Sequence, residues 1–233
     1  MNRIGCCVIV GAGDVCAGFL PEKRKEDLWI AADAGYRILG NTGIRPDLYV
    51  GDGDSLKSDP DIPERIIFPR VKDETDSLAA VRCGMERGYR RFCLFGALGG
   101  SRFSHSVANV QTLLYIRANG CDGVIASAES VVRILDAGLG PYPVPFENAS
   151  ESGKDGPYVS LFAVAGDAVV SISNAEYEAE RLALTPEFPL GVSNEPREGC
   201  LITVHSGKVL AVMEPGRRMP SQRFDPEAFF PKG

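Results

Sequence analysis

The stretch Leu48-Tyr49-Val50-Gly51-Asp52-Gly53-Asp54-Ser55 decides how the first half of the chain is organised. Its apolar start predicts a buried strand, and the strand ends directly in two carboxylates that lie one residue apart between small residues. Such a turn places Asp52 and Asp54 on one rim at the end of the strand. Mg²⁺ is commonly bound by a few carboxylates together with substrate phosphates. The stretch therefore predicts a site for a hard cation.

Strands and helices alternate along the rest of this half. Apolar runs predict strands at 4–10, 28–32, 66–69, 91–95 and 123–126, and helices are predicted at about 36–40, 76–87 and 107–119. Alternating strands and helices indicate a doubly wound, Rossmann-like parallel sheet. Ligands bind at the carboxyl edge of such a sheet, so polar clusters that follow different strands are predicted to converge there.

From about Pro141 the hydrophobic pattern of the sequence changes. Helical periodicity disappears, and short apolar runs flank Gly166-Asp167 and Ser206-Gly207, which predict two β-hairpins. This pattern indicates a small β-sandwich or barrel. The predicted fold class is α/β, with an α/β catalytic domain at 1–140 that binds nucleotide and Mg²⁺ and an all-β domain at 141–233.

Composition excludes several functional classes. The net charge of −6 argues against a nucleic-acid surface, because phosphate backbones are bound by clustered Lys and Arg. No run approaches the roughly 18 apolar residues of a membrane span. The seven Cys are an odd number without a Cys-x-x-Cys pair, and Cys6, Cys7 and Cys93 lie in apolar runs, as buried free thiols do, which predicts a reducing cytoplasm. Small molecules are therefore the predicted partners.

Polar residues at the predicted carboxyl edge have the chemistry of phosphoryl transfer. Carboxylates would hold one or two Mg²⁺, and Lys72, Arg102 and the backbone of the loop Gly96–Arg102 would hold phosphate oxygens. Neither a Walker A sequence nor Gly-x-Ser-x-Gly is present. The turn Gly11-Ala12-Gly13 departs from the dinucleotide fingerprint, because Cys16 stands where the third Gly belongs. The predicted acidic cluster consists of Asp33, Asp52, Asp54 and Asp76. These residues indicate an Mg²⁺-dependent nucleotide or phosphate enzyme and leave the acceptor open.

A series of motifs resembles the thiamine pyrophosphokinase family. The series contains Ala32-Asp33-Ala34-Gly35, Gly51-Asp52-Gly53-Asp54-Ser55, Lys72-Asp73-Glu74-Thr75-Asp76, Gly99-Gly100 to His105, Ala108-Asn109 with Gln111, and Gly191-Val192-Ser193-Asn194-Glu195. Order and spacing match along the whole N-terminal half, and the last motif extends the resemblance into the second half.

The resemblance implies a β-sandwich C-terminal domain, a homodimer with thiamine bound between subunits, and transfer of a pyrophosphoryl group from ATP to the thiamine hydroxyl, releasing AMP. By this resemblance, Asp52, Asp54 and Asp76 bind Mg²⁺ and the polyphosphate, with Asp33 close by. Lys72, Thr75, Arg102 and Gln111 contact nucleotide or phosphate, and Ser193 and Asn194 contact thiamine.

The chain departs from the family pattern at two places. The loop Gly99–His105 is one residue longer than usual, with Ser104 where Asp is expected, and Gly53 replaces a residue that is usually aromatic. A hydroxyl cannot supply the missing negative charge. Two alternatives to thiamine pyrophosphokinase therefore stay open: a related Mg²⁺-dependent nucleotide transferase with another small acceptor, and a non-catalytic thiamine-binding module.

Overall fold

The computed structural model describes residues 5–53, 64–69, 73–100, 102–145, 157–215 and 223–230. The chain forms two compact units, Met1–Ala128 with Ser221–Gly233, and Glu129–Pro220. We call them unit 1 and unit 2. The α/β class is confirmed, whereas the domain limits at 1–140 and 141–233 stay a prediction.

Unit 1 contains the alternating strands and helices that the sequence predicts. They are β1 (Cys6–Val10), β2 (Leu28–Ala32), α1 (Gly35–Thr42), β3 (Leu48–Gly51), β4 (Glu64–Ile67), α2 (Asp76–Glu86), β5 (Arg91–Phe95), α3 (Phe103–Ala118) and β6 (Asp122–Ala126). Short 3₁₀ helices occur at Ala17–Phe19 and Pro226–Ala228.

The strands of unit 1 pair in parallel in the order β6-β5-β1-β2-β3-β4. β1, β2, β3, β5 and β6 are buried almost throughout, as expected of a parallel sheet covered on both faces. The chain moves outward from β1 through β2, β3 and β4 and then returns to the other side of β1 as β5. The strand order therefore reverses between β1 and β5, which is where such a sheet opens a crevice for ligands.

Local signals in the sequence set the helix ends. The Thr75 hydroxyl accepts a hydrogen bond from the Leu78 backbone N–H at 3.2 Å and caps the start of α2. Gly43 ends α1 in the left-handed conformation, with φ of 73°. These caps fix where α2 begins and where the loop after α1 begins.

The C-terminal residues 223–230 pack into unit 1. The ring of Phe224 stacks on that of Phe229 at 5.0 Å and contacts Phe19 and Phe95, and the Phe224 backbone N–H donates to the Phe19 carbonyl at 2.8 Å. Glu227 accepts from the guanidinium groups of Arg24 and Arg91 at 3.2 and 3.3 Å. No sequence pattern predicted a role for this segment, which packs against Phe95 and so supports the strand that leads into the loop at Gly96.

Unit 2 consists of antiparallel strands. They are β7 (Val131–Asp136), β8 (Tyr142–Pro143), β9 (Tyr158–Ala175), β10 (Ala179–Leu184), β11 (Gly191–Asn194) and β12 (Pro196–Glu214), with a 3₁₀ helix at Ala137–Leu139. The order is β10-β9-β12-β7, with β11 on β9 and β8 on β12.

The two predicted hairpins are wrong. Residues 158–164 and 169–175 form one strand of 18 residues, and both segments pair with β12 rather than with each other. Residues 166–167 and 206–207 lie inside these strands, where the pairing register of β9 and β12 shifts, and an irregularity of this kind bends a strand. A Cβ on Gly207 would lie 2.2 Å from the Asp167 carbonyl oxygen, so close backbone approach explains this glycine.

Among the described residues, no helix has the length and apolarity needed to cross a membrane. All seven cysteines are described and all are free thiols; only Cys16 is exposed. Burial raises the pKa of the Cys7 and Cys93 thiols well above the ordinary value.

Candidate active site

The loops after β1 and β5 are joined backbone to backbone. The Gly11 N–H donates to the Phe95 carbonyl at 2.8 Å, and the Gly13 N–H donates to the Gly96 carbonyl at 2.9 Å. A Cβ on Gly13 would lie 2.7 Å from the Gly96 oxygen, and Gly96 itself has a φ of +60°. Glycine is therefore required for these two loops to meet at the point where strand order reverses.

Asp33 follows β2 in an uncommon backbone conformation, with φ of 49°. Its N–H donates to the Val50 carbonyl of β3 at 2.9 Å, which ties the Asp33 turn to the strand that leads to Asp52. Gly35 begins α1 so close to β1 that an added Cβ would lie 1.8 Å from the Val10 carbonyl oxygen. Strained non-glycine backbone of this kind clusters at functional sites.

The N-termini of α2 and α3 adjoin the same edge of the sheet. Asp76 opens α2 directly after its Thr75 cap. α3 begins at Phe103, and the buried Asn109 side chain donates to the Ala97 carbonyl at 2.8 Å, which ties α3 to the loop after β5. Helix N-termini present backbone N–H groups and the positive end of the helix dipole, so this edge favours anions such as phosphates.

These loops enclose a cavity of about 230 Å³, which we call the switch-point cavity. It is lined by Gly11, Ala12, Gly13, Ala32, Asp33, Thr75, Asp76, Ser77, Gly96, Ala97, Gly99, Gly100, Arg102, His105 and Asn109. Four of the predicted site residues are among them: Asp33, Thr75, Asp76 and Arg102. The predicted convergence of the strand-end clusters is therefore observed for these residues.

Asp52 is not in the cavity lining, and it follows β3, to which the Asp33 turn is tied through Val50. Burial, and then the charges of Asp33, Asp52 and Asp76, raises the pKa of the Tyr49 hydroxyl to about 12. Within the described part of the chain, no three His, Cys, Asp or Glu side chains form a ready-made metal cage. Asp54 and Lys72 lie outside the described residues.

Gln111 and Ser104 lie on exposed parts of α3 and are not in the cavity lining. His105, Asn109 and the Gly11–Gly13 turn do line the cavity, although none was among the predicted site residues. The turn carries its own signal, two glycines directly after a buried strand. His105 and Asn109 were visible only as part of the family resemblance.

Unit 2 contains a second cavity, of about 330 Å³, which we call the apolar cavity. It is lined by Val159, Leu161, Val170, Ile172, Tyr177, Glu178, Ala179, Leu182, Leu184, Leu190, Gly191, Val192 and Asn194. Asn194 fixes its rim, because its side-chain oxygen accepts from the Tyr177 N–H at 3.0 Å and its amide donates to the Tyr177 carbonyl at 2.7 Å.

Ser193, the other predicted thiamine contact, has an exposed side chain and lies outside this lining. Its backbone adopts φ of 57°, and its N–H donates to the Ser160 hydroxyl at 3.0 Å. Of the two predicted contacts, only Asn194 therefore lies at a cavity.

The part of the chain that carries the candidate site is similar to a known protein family. Residues 21–125 match the family model described as "Thiamin pyrophosphokinase, catalytic domain", and this range includes Asp33, Asp76 and Arg102. The resemblance to the thiamine pyrophosphokinase family is confirmed. A comparison with curated protein sequences found no match.

Solved structures of thiamine pyrophosphokinases share the fold. The Bacillus subtilis protein is 20% identical, with a TM-score of 0.73 over 90% of this chain and 98% of that one. The Geobacillus thermodenitrificans protein is 24% identical, with a TM-score of 0.73 over 92% and 99% of the two chains. The Candida albicans protein is 14% identical, with a TM-score of 0.67 over 90% and 89%.

Proposed function

We propose that this protein transfers a pyrophosphoryl group from ATP to the hydroxyl of thiamine, giving thiamine diphosphate and AMP. The observation that carries the proposal is the switch-point cavity, in which two helix N-termini, glycine-lined backbone and carboxylates converge within the range that matches the thiamin pyrophosphokinase catalytic domain. The activity predicted from the sequence is also the one that these comparisons support.

Within this proposal, the first backbone N–H groups of α2 and α3 and the Arg102 guanidinium bind the polyphosphate. The Gly11–Gly13 and Gly96–Gly100 loops, which have no side chains larger than Leu98 and are joined by their own backbone hydrogen bonds, let the phosphates approach closely. Catalysis is then mainly positioning and charge neutralisation, as is usual in transfer from a nucleotide. Thr75 holds the start of α2 through its cap, so its effect on nucleotide binding includes the placement of Asp76. Gln111 stays a predicted nucleotide contact.

The donor set of the acidic residues fits Mg²⁺. Mg²⁺ usually takes one or two carboxylates plus substrate phosphates and water, so these carboxylates suit one or two ions that are shared with the polyphosphate. We propose that Asp33, Asp52, Asp54 and Asp76 supply the carboxylate ligands. When bound, the ion neutralises charge on the transferring group.

We propose that Asn194, and Ser193 beside it, contribute to thiamine binding. Asn194 holds Tyr177 at the rim of the apolar cavity, where an aromatic side chain that is 71% exposed can cover a heteroaromatic ligand. This geometry favours an indirect role for the Asn194 amide, through the position of Tyr177.

We further propose the finer fold assignment, a Rossmann-like domain followed by a β-sandwich. The reversal of strand order at β1 supports the first part. The two halves of the bent strand β9 both line the apolar cavity, through Val159 and Leu161 and through Val170 and Ile172, which supports two β-layers facing each other.

A homodimer in a reducing cytoplasm completes the proposal. Unit 2 exposes Tyr177, Phe188, Leu190 and Val192 by 48 to 71% each, and large apolar groups of this kind are typical of protein interfaces. Light scattering at micromolar concentration is expected to give twice the chain mass of 25.0 kDa. A mass of one chain would contradict the dimer.

The function is tested by AMP release in the presence of Mg²⁺ and ATP, with and without thiamine and with a panel of other small alcohols. We expect AMP release that saturates with thiamine and is fastest with it. Absence of AMP release in a thiamine titration would refute the proposal. The alternative acceptor is not favoured, since Ser104, which motivated it, lies outside the cavity lining.

A further inference from the structure

Tyr49 lies beneath the acidic turns and has no place in the function described so far. It is fully buried in β3, and its ring packs edge to face on Tyr36 of α1, with 6.5 Å between ring centroids. The Gly53 backbone N–H donates to its hydroxyl oxygen at 3.3 Å. The hydroxyl therefore supports the turn that carries Asp52.

The same hydroxyl adjoins the turn that carries Asp33. A Cβ on Gly51 would lie 2.5 Å from the Tyr49 Oη and 3.2 Å from the Asp33 Cα. The hydroxyl and the Asp33 backbone therefore lie on either side of the position that a Cβ of residue 51 would occupy. This position is free only because residue 51 is glycine.

The Tyr49 hydroxyl lies in a negatively charged environment. The surrounding charges are the carboxylates of Asp33, Asp52 and Asp76. Burial, and then these charges, raises the pKa of the Tyr49 hydroxyl to about 12, so the group that accepts from Gly53 is neutral.

We propose that Tyr49 is a positioning residue for Mg²⁺-nucleotide binding, whose hydroxyl sets the separation of the Asp33 and Asp52 turns, and that Gly51 is required to admit that hydroxyl. The proposal rests on the proposed function for the identity of the nucleotide. In this role Tyr49 carries no proton in the reaction and contacts no reacting atom.

The test uses the full chain and α,β-methylene-ATP, in which the bond broken by pyrophosphoryl transfer is replaced by a stable P–C–P link. Tyr49→Phe keeps the ring and removes one neutral hydrogen-bonding group. We expect calorimetry to give about fivefold weaker binding of the Mg²⁺-analogue complex and a similar rise in the Mg²⁺ concentration for half-maximal binding. In turnover, KM for ATP rises and kcat changes less.

Tyr89→Phe is the matched control. Tyr89 is also buried in unit 1, and its hydroxyl donates to the Glu26 carbonyl at 3.0 Å, before the amino end of β2 and away from the cavity. We expect a similar change in melting temperature and unchanged binding of the Mg²⁺-analogue complex. Equal loss of binding in both variants would show that Tyr49 acts only through stability and would overturn the proposal.

Gly51→Ala provides a second test. It is expected to weaken binding more than Tyr49→Phe, because its Cβ displaces the hydroxyl and presses on Asp33. In the double variant the atom nearest to the new Cβ is gone, so binding should be better than that of Gly51→Ala alone. Additive losses in the double variant would contradict the proposed coupling.

These outcomes are separable from failure of the proposed function. Calorimetry with the analogue requires no acceptor, so the Tyr49 result stands whether or not thiamine is the acceptor. If the wild-type protein binds the Mg²⁺-analogue complex but releases no AMP with thiamine, only the proposed function fails. If Tyr49→Phe binds the complex as the wild type does, only the role of Tyr49 fails.

Discussion

The two cavities of this protein are built in opposite ways. The switch-point cavity of unit 1 is lined mainly by backbone, small residues and charged groups at the ends of strands, whereas the apolar cavity of unit 2 is lined mainly by aliphatic side chains of β9, β10 and β11. The first suits a polyphosphate and the second a flat organic group. A strand-end site can therefore be recognised from local sequence, whereas a cavity beside bent strands depends on how those strands pair.

The largest expected effect is a loss of kcat when a carboxylate of the switch-point cavity is removed. Asp76→Asn should lower kcat by about 10²–10³-fold, because it removes a negative ligand at the start of α2 while keeping the shape of the side chain. Asp167→Asn is the control, since Asp167 is an exposed carboxylate in unit 2 outside the apolar cavity. Steady-state AMP release measures both. A near-normal rate for Asp76→Asn would remove Asp76 from the site.

The second prediction concerns the backbone of the switch-point cavity. Gly35→Ala should lower the free energy of unfolding by about 3 kcal/mol, at the upper end of overpacking costs, because the new Cβ meets the Val10 carbonyl. Gly40→Ala in the same helix meets nothing within 4 Å and should raise it by about 0.5–1 kcal/mol. Urea denaturation measures both values. Equal effects would show that close packing at Gly35 is unimportant.

The third prediction tests whether unit 2 serves the acceptor. Asn194→Ala removes both side-chain bonds to the Tyr177 backbone and should raise KM for thiamine about tenfold, with KM for ATP unchanged. Asn174→Gly is a suitable control, because Asn174 has a positive φ that Gly accepts and is not in the cavity lining. If Asn194→Ala changed only the KM for ATP, Asn194 would serve nucleotide binding, which would contradict its proposed role in thiamine binding.

The smallest effect concerns the interior of unit 2. Burial, and then the Glu178 charge, raises the pKa of the Cys200 thiol to about 11. The folded protein therefore holds this proton more tightly than the unfolded chain, and its contribution to stability is complete below about pH 9 and is lost as the pH rises towards 11.

Chemical denaturation between pH 9 and 11 checks this prediction. Cys200→Ala should show a smaller fall in the free energy of unfolding over this range than the wild type. Cys16→Ala is the control, because Cys16 is the exposed cysteine and lies in unit 1. The same slope in all three proteins would show that Cys200 titrates as it does in the unfolded chain.

The sequence predicted unit 1 well because its signals are local. Buried strands appear as continuous apolar runs, and Asp33, Asp76 and Arg102 follow strands or open helices, so parallel topology alone brings them to one edge. The role of Tyr49 was not foreseen, because it depends on the space left by Gly51 in three dimensions.

Unit 2 was predicted less well, since a Gly-Asp pair between apolar runs marks a hairpin and a bend equally. Pairing with β12 decides between the hairpin and the bend, because β12 pairs with both halves of β9 and keeps them in one strand. Long-range pairing of this kind leaves no trace in a short window of sequence. The apolar cavity, which depends on the bend, was therefore not anticipated.

The most direct test of the account follows the phosphates of ATP. The protein is incubated with Mg²⁺, thiamine and ATP labelled at the β-phosphate, and the products are separated. We predict that the label enters thiamine diphosphate and that an equal amount of AMP forms, with no ADP. Formation of ADP with thiamine monophosphate, or of AMP without a labelled thiamine product, would contradict pyrophosphoryl transfer at the switch-point cavity.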